Sequence, residues 1–176
     1  MCIRDSLKAL DNAKDVVVLG GGFIGVEFAD EFNKRGLNVT IVEMLPHCLM
    51  LAFDEELCAM AEGALTNRGV KIITGIKVED VLGKDSVTSV RLSDGQELKA
   101  DVLLVGVGVT PDTALAEKAG LDVNRGGIIV DSHMLTNDEH IFACGDCVAK
   151  RSFMTNKPSG LRLASISTCL LYTSDA

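Results

Sequence analysis

The sequence predicts an α/β fold built on a parallel sheet, with an antiparallel hairpin insertion. Three observations carry that reading. Residues 15–19, Asp-Val-Val-Val-Leu, form a continuous β-branched run that stops at three glycines, as a strand buried on both faces does. A helical pattern and a second β-branched run follow, so residues 15–43 have the order and length of a βαβ unit. After a stretch of short alternating segments, residues 101–106 return to an apolar strand expected to be buried.

Within the first unit, Ile24, Phe28 and Phe32 recur every four residues with Ala29 beside them, which predicts a helix of about three turns with these as its apolar stripe. Lys34-Arg35-Gly36 supplies a cationic last turn and a glycine stop. Residues 39–43 form the second strand. Asp54, followed by Glu55 and Glu56, begins another helix because carboxylates favour the positive N-terminal end; it runs through Leu57, Ala61 and Leu65 to Arg68-Gly69. Residues 70–73 are a third strand. Between 77 and 99, short stretches around an Asp94-Gly95 turn predict antiparallel hairpins. Pro111 marks a break, and a domain boundary is placed near residue 110. Beyond it a short helix at 113–119 and strands at 128–130 and 141–144 are expected.

The two ends read differently from the interior. DNA encoding residues 1–6 has a reverse complement that encodes Cys169-Leu170-Leu171-Tyr172-Thr173, and the bases resemble a sequencing-library adapter. Residues 1–6 and 169–176 are therefore expected to be adapter-derived, with the interior cut from a longer reading frame. The composition, 47% hydrophobic with 17 glycines, is that of a globular protein. A formal charge of −8 argues against a nucleic-acid surface. No run approaches the roughly 18 apolar residues of a membrane span. Apart from Cys2 and Cys169 in the ends, Cys48, Cys58, Cys144 and Cys147 lack the spacing of a secreted disulfide framework, so a cytoplasmic location is expected.

The candidate chemistry lies in Gly20-Gly21-Gly22-Phe23-Ile24-Gly25. Gly20 would allow the tight turn out of the strand, Gly22 the approach of a pyrophosphate, and Gly25 close packing of helix on sheet. The helix that starts here points free N–H groups and its positive end at bound phosphate. Strand before, helix after and an acid, Glu43, at the end of the second strand together predict a Rossmann-like dinucleotide site. Glu43 would accept hydrogen bonds from the adenine ribose and repel a 2'-phosphate, which favours NADH over NADPH. Residues 44–47 contain no arginine to receive that phosphate, although a protonated His47 would. Cys144-Gly145-Asp146-Cys147 has the spacing of a thiol pair or half a zinc site, but no second cysteine or histidine pair completes a zinc set, so no metal is expected. Cys144 reads instead as a small buried hydrophobe. His133 and His140 fall in a loop without partners at ligand spacing.

With the glycine loop followed by Val26-Glu27, and residues 135–146 reading Leu-Thr-Asn-Asp-Glu-His-Ile-Phe-Ala-Cys-Gly-Asp, the chain resembles the FAD-dependent pyridine nucleotide-disulfide oxidoreductase family over nearly all of residues 14–167. The resemblance implies an NADH domain at residues 7–110 and, at 111–168, the C-terminal part of a split FAD-binding domain. Gly145 would permit close approach of FAD, and Asp146 would hydrogen-bond its ribityl or phosphate end. In this family the NADH loop lies about 120 residues before the Gly-Asp motif, and Gly25 to Gly145 is 120, so the Gly20 loop looks like the NADH site. Glu27 would face the nicotinamide, and residues 106–111, including Gly108 of the NADH site, match the crossing back toward FAD; Thr110 stands where arginine is commoner. Residues 150–158 and 163–165 look more like NADH oxidases and coenzyme A-disulfide reductases than dihydrolipoamide dehydrogenases.

The expected activity is hydride transfer from NAD(P)H, preferably NADH, to FAD and on to a small-molecule, thiol or disulfide acceptor, or oxygen. No nucleic acid or membrane partner is expected, and a homodimer is one option for the parent. No catalytic residue is assignable in this segment, and the chain alone is expected to bind NADH without turnover. A non-catalytic NADH-binding or redox-sensing module, or a thiol or zinc protein built on Cys144 and Cys147, are the alternatives.

Overall fold

The computed structural model describes residues 3–152 and 154–173. Phe153, within the stretch that resembles NADH oxidases, and residues 1, 2 and 174–176 of the adapter-like ends lie outside the described residues. The chain divides into two compact units, residues 1–108 and 109–176.

In the first unit α1 (Ile3–Leu10) leads into β1 (Asp15–Leu19), α2 (Phe23–Lys34), β2 (Asn38–Val42), α3 (Glu55–Thr66) and β3 (Lys71–Ile73). The insertion β4 (Val78–Leu82), β5 (Ser89–Leu92) and β6 (Glu97–Lys99) precedes β7 (Val102–Val105). The parallel sheet has the order β3-β2-β1-β7, and the insertion forms its own antiparallel sheet, β4-β5-β6. Strand β1 is central, with Val16 beside Val39 and Val102.

The alternation of side chains along β1 explains why Val16, Val17 and Val18 are all apolar. Val16 and Val18 pack with Ala29 and Phe32 of α2 and Leu65 of α3, whereas Val17 faces the other way, onto Val90, Leu92 and Ala100. One face is covered by helices and the other by the antiparallel insertion, so each fully buried valine stabilises the fold by about 1.5–3 kcal/mol. The start of β1 is tied down by Asp101, whose Oδ2 accepts from the backbone N–H groups of Lys14 at 2.8 Å and Asp15 at 2.9 Å. Those two donors hold the Asp101 carboxyl below its usual range.

Two expectations for this unit need correction. On α2 the buried residues are Gly25, Ala29 and Phe32, with Val26 packed beside them, while Ile24 and Phe28 are exposed. The helix comes closest to the sheet at Gly25, where a Cβ would collide with Gly20 O and press on Val18. Strand β7 is not fully buried: it is the edge of the parallel sheet, and Val105 is 59% exposed.

The second unit contains α4 (Ala114–Lys118), a two-stranded ribbon of β8 (Val123–Asn124) and β9 (Gly127–Ile128), a 3-10 turn (Gly145–Cys147) and α5 (Ala164–Thr173). Its small core gathers Ala116, Ile128 and Val148, with Leu170 packed against it. The strand expected at 128–130 ends at Ile128, which pairs with Val123 in the ribbon and also bridges Val148. The strand expected at 141–144 is a single bridge, Phe142 to Leu135. Its polar groups are consumed by a tight loop instead: Ile141 O accepts both the N–H of Thr136 at 3.0 Å and its hydroxyl at 2.8 Å. Among the described residues no helix is long and apolar enough to cross a membrane.

Candidate dinucleotide site

The strand order switches sides at β1. Strands β2 and β3 lie to one side and β7 to the other, and a crevice at the carboxyl ends of β1 and β7 is where such sheets bind ligands. Residues 20–25 follow β1 directly and 106–108 follow β7. Beyond the last ladder pair Gly106 N–H donates to Leu19 O, joining the segment after β7 to β1, and Gly20 N–H donates to Val42 O of β2, each at 2.8 Å.

Gly20 has φ +103, and a Cβ there would stand 2.5 Å from Gly106 O. A Cβ on Gly25 would collide with Gly20 O and press on Val18 at 3.3 Å. Gly22 differs: nothing lies within 4 Å of its Cβ position, and it is exposed. It caps α2 with no side-chain hydrogen bond, and the first turn has no acidic residue. The N–H groups of that turn, from Phe23 onward, have no acceptor within the helix. An open backbone surface with a positive helix end and no competing carboxylate in the turn suits a phosphate group.

Glu43 stands just past β2. Its Oε2 accepts from Gly21 N–H at 2.5 Å and its Oε1 from Leu45 N–H at 2.8 Å, which joins the acid to the glycine loop. Ile24 and Glu27 are on the exposed surface of α2, and Gly108 is exposed with φ +106. Residues 20–25, Glu43 and Gly108 all belong to the first unit.

Sequence reasoning missed the loop between β2 and α3. Leu49, at φ +62, donates its N–H to Gly21 O at 2.8 Å, and Cys48 Sγ fills the space where a Cβ on Gly21 would be. Glu62 of α3 accepts from Cys48 N–H at 2.7 Å, and its other oxygen is 3.1 Å from His47 Nδ1. Phe53 packs edge-on against Phe23, with centroids 5.8 Å apart. Burial, reinforced by the nearby Glu62 charge, pushes the Cys48 thiol up to about 12. Of the Cys-Leu-Met-Leu run in this loop only Cys48 is buried, while Met50 and Leu51 are exposed, so the run's composition did not announce its role. A hollow of about 360 Å³ at the opposite end of the sheet, lined by Asp15, Asn38, Thr40, Lys71 and Lys99, lies away from the carboxyl ends of the strands.

In the second unit Gly145 has φ +89, and the Asp146 carboxylate is 53% exposed. Its Oδ1 receives the ammonium of Lys150 at 2.9 Å and the Ser167 hydroxyl at 3.3 Å. Lys150 is itself buried, with 4% of its side chain exposed. That ammonium holds the Asp146 carboxyl below its usual range. Cys144 is half-buried rather than buried, because its segment forms no strand to cover it. Cys144 and Cys147 are unbridged, with the Cys147 thiol donating to Cys144 O at 3.2 Å. No group of three or more His, Cys, Asp and Glu side chains able to hold a metal occurs among the described residues.

Comparison with known proteins places this arrangement. Rubredoxin-NAD(+) reductase of Alcanivorax borkumensis is 40% identical over 140 residues, which cover 79% of this chain and 36% of that protein. An NADH oxidase of Methanocaldococcus jannaschii is 34% identical over 147 residues, covering 84% of this chain and 33% of its own length. The solved structure of an NAD-dependent persulfide reductase from A. fulgidus superposes with a TM-score of 0.90 at 32% identity, over 97% of this chain and 32% of that one. The chain thus spans about a third of the length of the relatives it matches. The model of the pyridine nucleotide-disulphide oxidoreductase family matches residues 3–166, and the chain belongs to that family.

Proposed function

We propose that residues 20–25 and Glu43 bind the adenine dinucleotide half of NADH, that Glu27 and Gly108 belong to the same NADH site, and that Gly145 and Asp146 contact FAD. The single observation that carries this reading is the uncapped N-terminus of α2, open above Gly22 at the carboxyl ends of β1 and β7. The pyrophosphate would lie on the first-turn N–H groups, whose alignment requires no lysine. Glu43 would receive the ribose hydroxyls while still steadying Gly21. In the second unit, the left-handed Gly145 and the exposed, ionised Asp146 suit a flavin's polyol hydroxyls, with Lys150 and Ser167 fixing the carboxylate.

When bound, NADH supplies a hydride and FAD receives it; the residues described here bind and orient, and none is assigned as nucleophile or general acid. The parent enzyme would pass the electrons to a small molecule, a thiol or disulfide, oxygen or a redox protein. The names of relatives, an NADH oxidase and a rubredoxin reductase, support that class of acceptors. A cytoplasmic location is part of the same reading.

Titrating the chain with NADH and following nicotinamide fluorescence tests the first half. Saturable binding is expected, and Glu43→Ala should weaken it about tenfold, the loss of charged hydrogen bonds to the ribose. A folded chain that does not bind NADH would overturn the reading. Rapid mixing of the full-length parent with NADH tests the second half: bleaching of the flavin is expected.

A further inference from the structure

The loop after β2 carries one side chain able to answer the extra charge of a phosphorylated ribose, His47. Its neighbours tie its loop to Glu43. Leu45, two residues before it, donates to the Glu43 carboxylate, and Cys48, the residue after it, lies against Gly21, which donates to the same carboxylate. Yet the imidazole is engaged elsewhere. Nδ1 is 3.1 Å from Glu62 Oε2, and Nε2 is 3.7 Å from Glu55 Oε1, both on α3. Glu62 is 18% exposed, and its second oxygen fixes the loop backbone through Cys48 N–H at 2.7 Å.

We propose that Glu62 is a specificity-determining residue for NADH over NADPH, acting by holding His47 against α3 so that the ribose rim presents Glu43 without a countercharge. The inference rests on the reading of residues 20–25 and Glu43 as the NADH site. The charged partners of the imidazole are Glu55 and Glu62 from α3, and the loop around it holds Cys48 beside it and Glu43, bonded to Leu45 two residues before; all are acids. Any positive charge on His47 is thus neutralised within the protein. The rim that a 2'-phosphate would meet is left with a net negative charge.

Glu62→Gln tests this, because the amide keeps an oxygen for Cys48 N–H while removing the charge that engages His47. Dissociation constants of NADH and NADPH would be measured for the 176-residue chain at about pH 6 and about pH 8.5. The preference for NADH should fall about twofold to fivefold at the lower pH and little at the higher, the scale of a partly exposed ion pair. Adding His47→Ala should cancel the gain in NADPH affinity. An unchanged preference at both pH values, a change equal at both, or one that survives His47→Ala would overturn the proposal while leaving the NADH site standing. Failure of the unaltered chain to bind NADH would overturn both.

Discussion

A methyl group added at Gly25 has nowhere to go, whereas one added at Gly22 meets nothing, and the contrast separates folding from binding within a single loop. Gly25→Ala should lower stability by about 1–3 kcal/mol or more, the cost of overpacking against backbone, measured by denaturant unfolding. Gly22→Ala should leave stability within about 0.5 kcal/mol. It should still weaken NADH binding about tenfold or more, because its methyl occupies the phosphate's approach. Cys48 makes a second residue-level prediction. With its thiol pushed up to about 12 by burial and Glu62, the folded protein retains a proton that the unfolded chain loses near pH 9. Its contribution to stability is complete below pH 9 and is lost as pH rises toward 12. Unfolding free energies measured across that window should fall less steeply in Cys48→Ala.

At the scale of elements, α3 depends on its cap. Asp54 Oδ1 accepts from Leu57 N–H at 3.0 Å, and Asp54→Ala should cost about 1 kcal/mol, read from a shift in the denaturant midpoint. The cap was legible in the sequence, as were β1, β2, the antiparallel insertion and the glycine loop, because each rests on a local signal: a β-branched run, a turn dipeptide, a carboxylate at a helix start. What was not legible depends on neighbours distant in the chain. Ile24 and Phe28 share a helical period with Phe32, yet the buried face runs through Gly25, Ala29 and Phe32, and Gly25 sits against Gly20 O and Val18 on the sheet side. Phe142 and Ala143 have the composition of a strand, but a strand exists only with a ladder partner, and the Thr136 hydroxyl draws that segment into a loop. At the site, Glu43 was readable from its place after a strand. Glu62 was not, because nothing local announces that a mid-helix acid will hold a loop 14 residues earlier.

For the whole molecule, the division after Gly108 predicts autonomy of the first unit. A protein comprising residues 1–108 should unfold in one cooperative transition and bind NADH with a dissociation constant within about twofold of the longer chain's, since both buried clusters of the parallel sheet lie inside it. Calorimetry and fluorescence titration check the two halves of that statement. The central place of β1 also orders events in time. Asp15 reaches its partner Asp101 across 86 residues, and β7 pairs with β1 over the same span. On a ribosome adding about 5–20 residues per second, β1 emerges roughly 4–17 seconds before the strand that completes its second side. For that interval one edge of an apolar strand is unpaired, and the nascent chain depends on chaperones, or on speed, to keep Val16, Val17 and Val18 from pairing with the wrong neighbour.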